Sequence, residues 1–391
     1  MSKRWHYVPL HEAAEICDNL RKPINSKERS TRIEGKAVSE LYPYYGATGQ
    51  VGYIDDYITE GEYVLLGEDG APFLSAFAVK AYIIDGKTWV NNHAHILKSK
   101  TNNKFLSYYL NSFNYKGYVS GTTRLKLTQA SMKQIQVPMP SSEEQERIVT
   151  RIEELFSQLD SGVETLKKTQ AQLAVYRQAV LTEAFPQLSP DNKKLLQEVA
   201  DISGGITKGR KLVMEESIEL PYLRVANVQN GYLDLTEIKT IQLKESEREK
   251  FLLQYGDVLY TEGGDRDKLG RGTVWRNEIE NCVHQNHVFK ARIIEKFAVP
   301  EYLAYWSMGM TARNYFFKNA KQTVNLASIN KTVLSNLPIP IVSLDMQKEI
   351  VNNIESRLSV CDSIEQTIDA ALQEAEALRQ SILKRAFEGG L

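Results

Sequence analysis

Cysteine is nearly missing from this chain. Its 391 residues hold three, Cys17, Cys282 and Cys361, far apart and forming no CxxC pair. A disulfide framework and a thiolate zinc site are thereby excluded, and a reducing compartment is expected. No apolar run approaches the ~20 residues that span a bilayer, so no membrane partner is expected. The start, MSKRWHYVPLHEAAEI, has no apolar stretch after its basic residues; a secretory signal is not expected, and the location is read as cytoplasmic. Net charge is almost absent too, at −1, and by itself argues for no class of partner. With 42% hydrophobic and 25% charged residues the composition is that of a globular protein. The length suggests about two to three domains.

Catalytic motifs are also missing. GGITKGRK (204–211) has the glycines of a phosphate loop, but Arg210 and Lys211 are followed by Leu212, so the magnesium-binding hydroxyl is lacking. There is no GxGxxG after a strand, no GxSxG elbow and no NPPY-type motif for methylating a flipped base. His93 and His95 stand two apart in a strand, yet no carboxylate or cysteine is near them in sequence. They are read as packed or hydrogen-bonded histidines, with no metal site. Glu68, Asp69, Glu262 and Asp265 lie by turn glycines and are read as shaping turns. No catalytic residue is expected, and no cofactor in this chain.

What is present is a repeat. QERIVTRIEELFSQLDSGVET faces QKEIVNNIESRLSVCDSIEQT, and RQAVLTEAF faces RQSILKRAF; residues 145–185 and 347–387 share 14 identities in 41 positions. Upstream, VPMPSSEEQ answers LPIPIVSLDMQ, LHEAAEI answers LQEVADI, and GYID (52–55) answers GYLD (231–234). GEYVLLGEDG answers GDVLYTEGGD, NHAHI answers NHVFK, and FLSYYL (105–110) answers YLAYWS (302–307). One module is therefore written twice. Each copy begins with short Val/Ile/Tyr/Thr runs between turn residues, hence strands, and ends in a long helix, roughly 143–185 and 344–388.

Apolar residues at spacings of three and four mark each long helix. They run from Ile148 through Leu173, Tyr176 and Val180 in the first, and from Ile350 through Ala375, Leu378 and Ile382 in the second. Such narrow stripes read as a coiled-coil seam, each on the order of 65 Å long. The expected class is α+β: two globular domains separated by two long antiparallel helices, with a pseudo-twofold internal repeat. The domains are expected at 1–140 and 189–340, the helical spacers at 141–188 and 341–391. Both helices together hold seventeen acidic and ten basic residues, which leaves a surplus of six positive charges elsewhere. Mildly basic domains on an acidic rod suit a polyanionic partner.

At this point the chain resembles the specificity subunits of type I restriction–modification systems, the HsdS family. ELPYLRVANVQNGYLDL with YGDVLYTEGGDRDKLGRGTVW resembles one class of target-recognition domain. YPYYGATGQVGYIDDYITEGEYVLLGEDG with WVNNHAHIL resembles another, and LPIPIVSLDMQKEIV and RQSILKRAFEGGL resemble the family's helical regions. The resemblance implies a DNA-binding subunit without catalysis of its own. Each domain would read one half of a bipartite asymmetric site in double-stranded DNA through the major groove. The helices would set the half-site spacing and dock two methyltransferase subunits, and restriction subunits would join the full complex. S-adenosylmethionine, ATP and Mg would belong to those partners. The rival reading is a protein-binding scaffold with duplicated domains.

The candidate DNA contacts lie in loops. In the first domain they are Tyr45, Thr48, Gln50, Thr123, Arg124 and Lys126; in the second, Lys208, Arg210, Lys211, Arg266, Lys268, Arg271, Lys321, Gln322 and Asn325. Arginine and glutamine can read base edges, while lysine more often meets phosphate. On the helices Gln145, Arg177, Gln178, Gln347, Arg379 and Gln380 are expected to face outward and dock the methyltransferase, since two equal partners need two equal surfaces. Phe185 and Phe387 are read instead as shared folding constraints.

Overall fold

The computed structural model describes residues 5–185, 193–210, 217–264, 269–322 and 327–390. The chain forms two compact units, Met1–Lys168 with Ile368–Leu391, and Thr169–Thr367. The division cuts through both long helices, Ser142–Glu183 and Leu344–Phe387, so each unit holds one globular part, the start of its own helix and the end of the other. Among the described residues no helix is long and apolar enough to cross a membrane.

In the first unit a four-stranded antiparallel sheet runs in the order Ala14–Ile16, Ala94–Ser99, Tyr63–Gly67, Ala81–Ile84. A three-stranded sheet runs Gly49–Ile54, Tyr42–Gly46, Trp89–Val90, its last pairing parallel at Tyr44 opposite Trp89. Tyr7–Pro9 pairs with Gln136–Pro138 and closes the part just before the long helix. The second unit repeats this plan. Its four strands are Ala200–Ser203, Val288–Ile293, Val258–Thr261 and Gly272–Val274; its three are Lys239–Lys244, Ser217–Leu223 and Val283–His284. The last pairing is again parallel, at Tyr222 opposite Val283, and Lys193–Leu195 closes on Pro338–Pro340. A small added sheet joins Gly263–Gly264, Ala327–Ser328 and Lys321–Gln322.

Topology corrects one sequence match. GYID ends the strand Gly49–Ile54, whereas GYLD lies between Ser217–Leu223 and Lys239–Lys244. The strand equivalent to Gly49–Ile54 is Lys239–Lys244, because four residues shared by two turn-rich segments weigh less than hydrogen-bond order. The segment 300–319 forms two helices, Pro300–Met308 and Met310–Asn319, with Gly309 extended between them.

The repeated tails have a packing role. Phe387, at the end of the second helix, sits on Phe105 and Tyr109 with ring centroids 5.3 and 5.2 Å away. Phe185, at the end of the first, sits on Tyr302 and Trp306 at 5.1 and 5.3 Å. Those partners are the matched positions of FLSYYL and YLAYWS. Ile382, Leu383 and Ala386 join the core of the first unit, and Val180 and Leu181 that of the second. Each globular part is thus finished by the helix that began in the other.

The seam differs from expectation: Ile364, in the expected stripe of the second helix, is exposed, and towards each helix end the stripe shifts by one residue. Tyr176 and Leu378 are exposed, and the seam position passes to Arg177 and Arg379, following the run Leu173, Arg177, Val180 and its repeat Ala375, Arg379, Ile382. In the second unit Arg177 bridges Asp362 at 2.7 Å and Glu365 at 2.8 Å. In the first, Arg379 pairs with Asp160 and lies 4.2 Å over the Phe156 ring. The two pairs are the same contact repeated at an offset of 202. A long arginine stem covers apolar surface while its head reaches a carboxylate, so the seam tolerates it.

Each phenylalanine can be tested separately. Phe387→Ala should cost about 3–5 kcal/mol. Hydrogen exchange should show weakened protection in the first unit's sheet with the sheet Ala200–Val274 unaffected, and Phe185→Ala should give the reverse pattern.

Candidate functional site

The loops at one end of each four-stranded sheet gather the candidate residues. In the first unit the strands Tyr42–Gly46 and Gly49–Ile54 form a hairpin whose two-residue tip is Ala47 and Thr48. Thr48 and Gln50 are exposed there, and Tyr45 is half-buried against Tyr82. The backbone of Gly67 comes so close that a Cβ there would meet Ala71's Cβ at 2.5 Å and Ala47's oxygen at 3.1 Å. Gly70, at φ +70°, turns the chain under Arg124. Glu68 donates its amide to His93 O at 2.8 Å and accepts at its carbonyl from Leu127 N at 2.7 Å. Hairpin tip, glutamate loop, histidine loop and GTTRLK loop are therefore fastened together. Thr123, Arg124 and Lys126 are exposed among them.

Charges hold this end in place. Asp69 takes His93 Nδ1 at 2.7 Å and Arg124 at 2.8 Å. Glu68 takes Arg21, and Lys126 at 3.2 Å. Below them Asp18 receives His95 Nδ1 at 2.8 Å, Gln129 at 2.8 Å, Ile96 N at 3.0 Å and Arg21 at 3.1 Å. His95 is fully buried, and its Nε2 faces Leu127 O at 3.0 Å, so both ring nitrogens face acceptors. Burial alone would raise the pKa of Asp18, but the hydrogen bonds and charge of His95, with Gln129 and Ile96, hold it below the usual carboxylate range. Glu68 is likewise held low against burial, by Arg21, His95 and Lys126. These acids do more than shape turns. They pair with the exposed Arg124 and Lys126 as well as with Arg21 behind the loop, so the outer bases are held in place at the surface.

In the second unit Ile206 N bonds His284 O at 2.8 Å and Asn286 N bonds Ile206 O at 3.0 Å, which lays residues 204–206 along the short strand Val283–His284. Lys208 extends over the Tyr222 ring at 5.3 Å. Arg210 forms a two-pronged pair with Glu247 at 2.9 and 2.8 Å. Arg271 donates to Gln229 at 2.7 Å, and Lys321 is exposed on the added sheet. His287 pairs with Glu262, whose backbone bonds His287 O at 2.9 Å and Ile329 N at 2.7 Å, repeating the glutamate–histidine joint of the first unit. Gln322 ends the strand Lys321–Gln322. Lys211, Asp265, Arg266, Lys268 and Asn325 lie outside the described residues.

The helix candidates divide. Gln145 and Gln347 do not face outward; both are fully buried. Gln145 donates to Pro140 O at 3.1 Å and accepts from Thr101 Oγ1 at 2.8 Å. Gln347 donates to Val342 O and Phe297 O, each at 3.0 Å, and accepts from Val299 N at 2.9 Å. Each glutamine joins its globular part to the start of its helix, which explains their identity by structure. Arg177 and Arg379 are half-buried in the helix pairing described above. Gln178 is half-buried, its Oε1 buried with no hydrogen-bond partner among the described residues, and Gln380 borders a cleft.

One basic element was missed. Residues 21–36, RKPINSKERSTRIEGK, form the helix Ser26–Ile33, which buries none of its residues and is held by stacking: Arg29 over Tyr44 at 4.7 Å and Arg32 over Trp89 at 5.0 Å. Six bases against two acids in sixteen residues was the available signal.

Against known proteins, residues 2–173 and 191–374 each match the type I restriction modification DNA specificity domain. The chain belongs to that family. It is 27% identical over 393 residues to a Haemophilus influenzae protein named as a type I restriction enzyme specificity subunit, covering 95% of this chain and 92% of the relative. The EcoKI specificity subunit of Escherichia coli is 28% identical over 73% of this chain and 65% of its own length. Among solved structures, a chain from a type I R-M system aligns over 100% of this chain and 99% of its own, with TM-score 0.70 and 17% identity. The HsdS subunit from Thermoanaerobacter tengcongensis aligns over 99% and 97%, with TM-score 0.54 and 18% identity. At these identities the structures establish a shared fold. In this specificity subunit, then, the loop ends just described are the parts that differ between two domains of one topology.

The buried acid at the loop base of this specificity subunit should show in its pH response. Asp18 has a depressed folded pKa, so its stabilisation is present above the unfolded value and is lost as pH falls through the folded one. Asp18→Asn should destabilise the first unit at neutral pH by about 3 kcal/mol, leaving buried His95 without its carboxylate and Arg21 with Glu68 alone. Acid titration of unfolding should then show a weaker fall in stability than the parent; an unchanged profile would count against this role.

Proposed function

We propose that this specificity subunit reads a bipartite, asymmetric DNA site, one half through each globular domain, in the major groove. The carrying observation is that one topology occurs twice while the exposed loops at its end differ in chemistry. Thr48, Gln50, Thr123, Arg124 and Lys126 face the first half-site; Lys208, Arg210, Arg271 and Lys321 face the second, with Lys211, Arg266, Lys268, Gln322 and Asn325 assigned from sequence alone. Arg124 is tethered to Asp69 on one side only, a geometry that leaves further donors of its guanidinium for a base or phosphate. Arg210 is more committed, to Glu247, and would have to exchange that partner on binding.

The two long helices set the distance between the half-sites and dock two methyltransferase subunits. Gln178 and Gln380 remain the helix candidates for that docking, while Gln145, Gln347, Arg177 and Arg379 act through the joints and seam that hold the surface in shape. Chemistry on DNA, with S-adenosylmethionine, and with ATP and Mg where restriction subunits join, falls to the partners. A rigidly linked pair of readers gains affinity because the second contact is intramolecular.

The test is a genome-wide methylation map of cells expressing the chain with its methyltransferase, compared with cells lacking it. A two-part methylated motif that disappears without the chain is expected, and exchange of residues 1–140 should alter one half only. No change in the map, with a methyltransferase shown to be active, would overturn the reading. In purified complex, Arg124→Ala together with Lys126→Ala should weaken DNA binding about tenfold or more. The slope of log affinity against log salt should become shallower by about one for each phosphate that the variant no longer neutralises.

A further inference from the structure

DNA reading leaves unused the middle of the connection between the strands Tyr63–Gly67 and Ala81–Ile84. Residues 71–79, APFLSAFAV, expose Leu74, Phe77 and Val79 at 60, 56 and 54% of their surface. Clustered apolar exposure with a polar rim marks a surface that another protein covers. Two clefts flank it inside the first unit. One, of about 300 Å³, lies between Phe77 and Val79 on one side and Tyr108, Phe156, Arg379 and Leu383 on the other. The second, of about 490 Å³, is bordered by Leu74, Lys80, Asn114, Lys116, Gln380 and Lys384, and no aspartate or glutamate lines it.

Lys80 gives this second cleft its chemistry. It is 2% exposed, and the one hydrogen bond of its ammonium among the described residues goes to Ala76 O at 3.4 Å. An ammonium carries three donors, and a buried one without an anion is costly. Burial accordingly pushes its pKa below the ordinary lysine value. Lys116 and Lys384 stand exposed at the same rim. The cleft is therefore net cationic, with Lys384 at its rim 3.9 Å from Glu388, and it lies beside an apolar ridge.

We propose that this cleft docks an acidic, apolar segment of a partner subunit, its carboxylate on Lys80 and its neighbouring apolar side chains over Leu74 and Phe77. Charge complementarity chooses the carboxylate, and the exposed ridge chooses a protein over a bare phosphate or a DNA strand, neither of which would cover it. The connection at the same place in the second unit, EGGDRDKLGR (262–271), has one large apolar residue, Leu269, and it is buried. This docking is thus made once per chain, unlike the helix surfaces that occur twice. The identity of the partner as the methyltransferase subunit rests on the restriction–modification reading.

The experiment places a photo-crosslinking benzoylphenylalanine at Phe77 in the full chain, assembles it with the methyltransferase subunit of its own system, and sequences the cross-linked peptide. A methyltransferase peptide with Asp or Glu beside large apolar residues is expected. Its yield should fall about tenfold with Lys80→Met, the worth of one charge-assisted hydrogen bond, and similarly with Leu74→Ser. Lys80→Met keeps the side-chain volume in a buried place, and the exposed Leu74→Ser leaves the core intact, so a folding defect would not imitate the result. A cross-link to DNA, a yield unchanged by Lys80→Met, or suppression by inorganic phosphate with no protein cross-link would each overturn the docking. No cross-link in a complex that still methylates a two-part site would overturn the cleft alone. A complex that assembles but directs no methylation would instead overturn the functional reading.

Discussion

Everything in this structure depends on a reciprocal docking. The helix that leaves the first globular part ends with Phe185 on Tyr302 and Trp306, and the helix that leaves the second ends with Phe387 on Phe105 and Tyr109. Neither domain completes its own core. The aromatic tail is short, yet it brings Val180 and Leu181, or Ile382 and Leu383, with it into an otherwise open apolar face. A chain built this way must carry the same ending twice, because each copy fills the equivalent hole in the other repeat. The identities L…AF are thereby explained by packing, before any partner is invoked.

The same reciprocity governs the helix pairing. Arg177 with Asp362 and Arg379 with Asp160 are one contact written twice, and both arginines occupy seam positions where a leucine would pack. Exposed ion pairs contribute little to stability. Arginine has a different value in the seam. Leucines at every seam position would allow the helices to slide by a heptad, whereas a guanidinium aligned with one carboxylate opposes a slipped register. A one-heptad slip would displace one helix along the other by about 10 Å.

How much of this was legible in the sequence follows from the range of each signal. The long helices, the duplicated plan and the strands GEYVLL and GDVLYT were readable because their periods and composition are local. Tyr176 and Leu378 misled because a three-then-four spacing and a four-then-three spacing differ by one residue, and an arginine at a seam position looks like a surface residue until its carboxylate is placed opposite. Gln145 and Gln347 misled for a related reason. Identity between copies was visible, but only the fold shows that both amides close on Pro140, Thr101, Val342, Phe297 and Val299. At the loop end the exposure of Thr48, Arg124 and Lys126 was foreseeable from glycine-punctuated, polar sequence. The ring of Asp18, Glu68 and Asp69 was not, since its partners come from segments as much as 111 residues apart. The helix Ser26–Ile33 was overlooked because helix recognition looks for an apolar stripe, and this one is held by arginines on aromatic rings.

The distance between the two ends of a domain explains how such a fold can keep its helix joint while its loops change. In the first unit the strand Ala94–Ser99 leaves the loop of Asn91–His93 and arrives two residues before Thr101, which bonds Gln145 at the root of the long helix. In the second, Val288–Ile293 leaves Asn286–His287 and leads to Phe297 and Val299, which bond Gln347. Six residues of strand separate the ends by about 20 Å. Between them lie Leu65, Ile96 and Leu97, or Val258, Leu259 and Ala291, all fully buried. The printed partners of Gln145 are Pro140 and Thr101, and none belongs to GTTRLK, so a substitution in that loop alters a charge cluster separate from the joint. The two copies show the result already: different loops, one topology, and the same glutamine, arginine and phenylalanine at the helix ends.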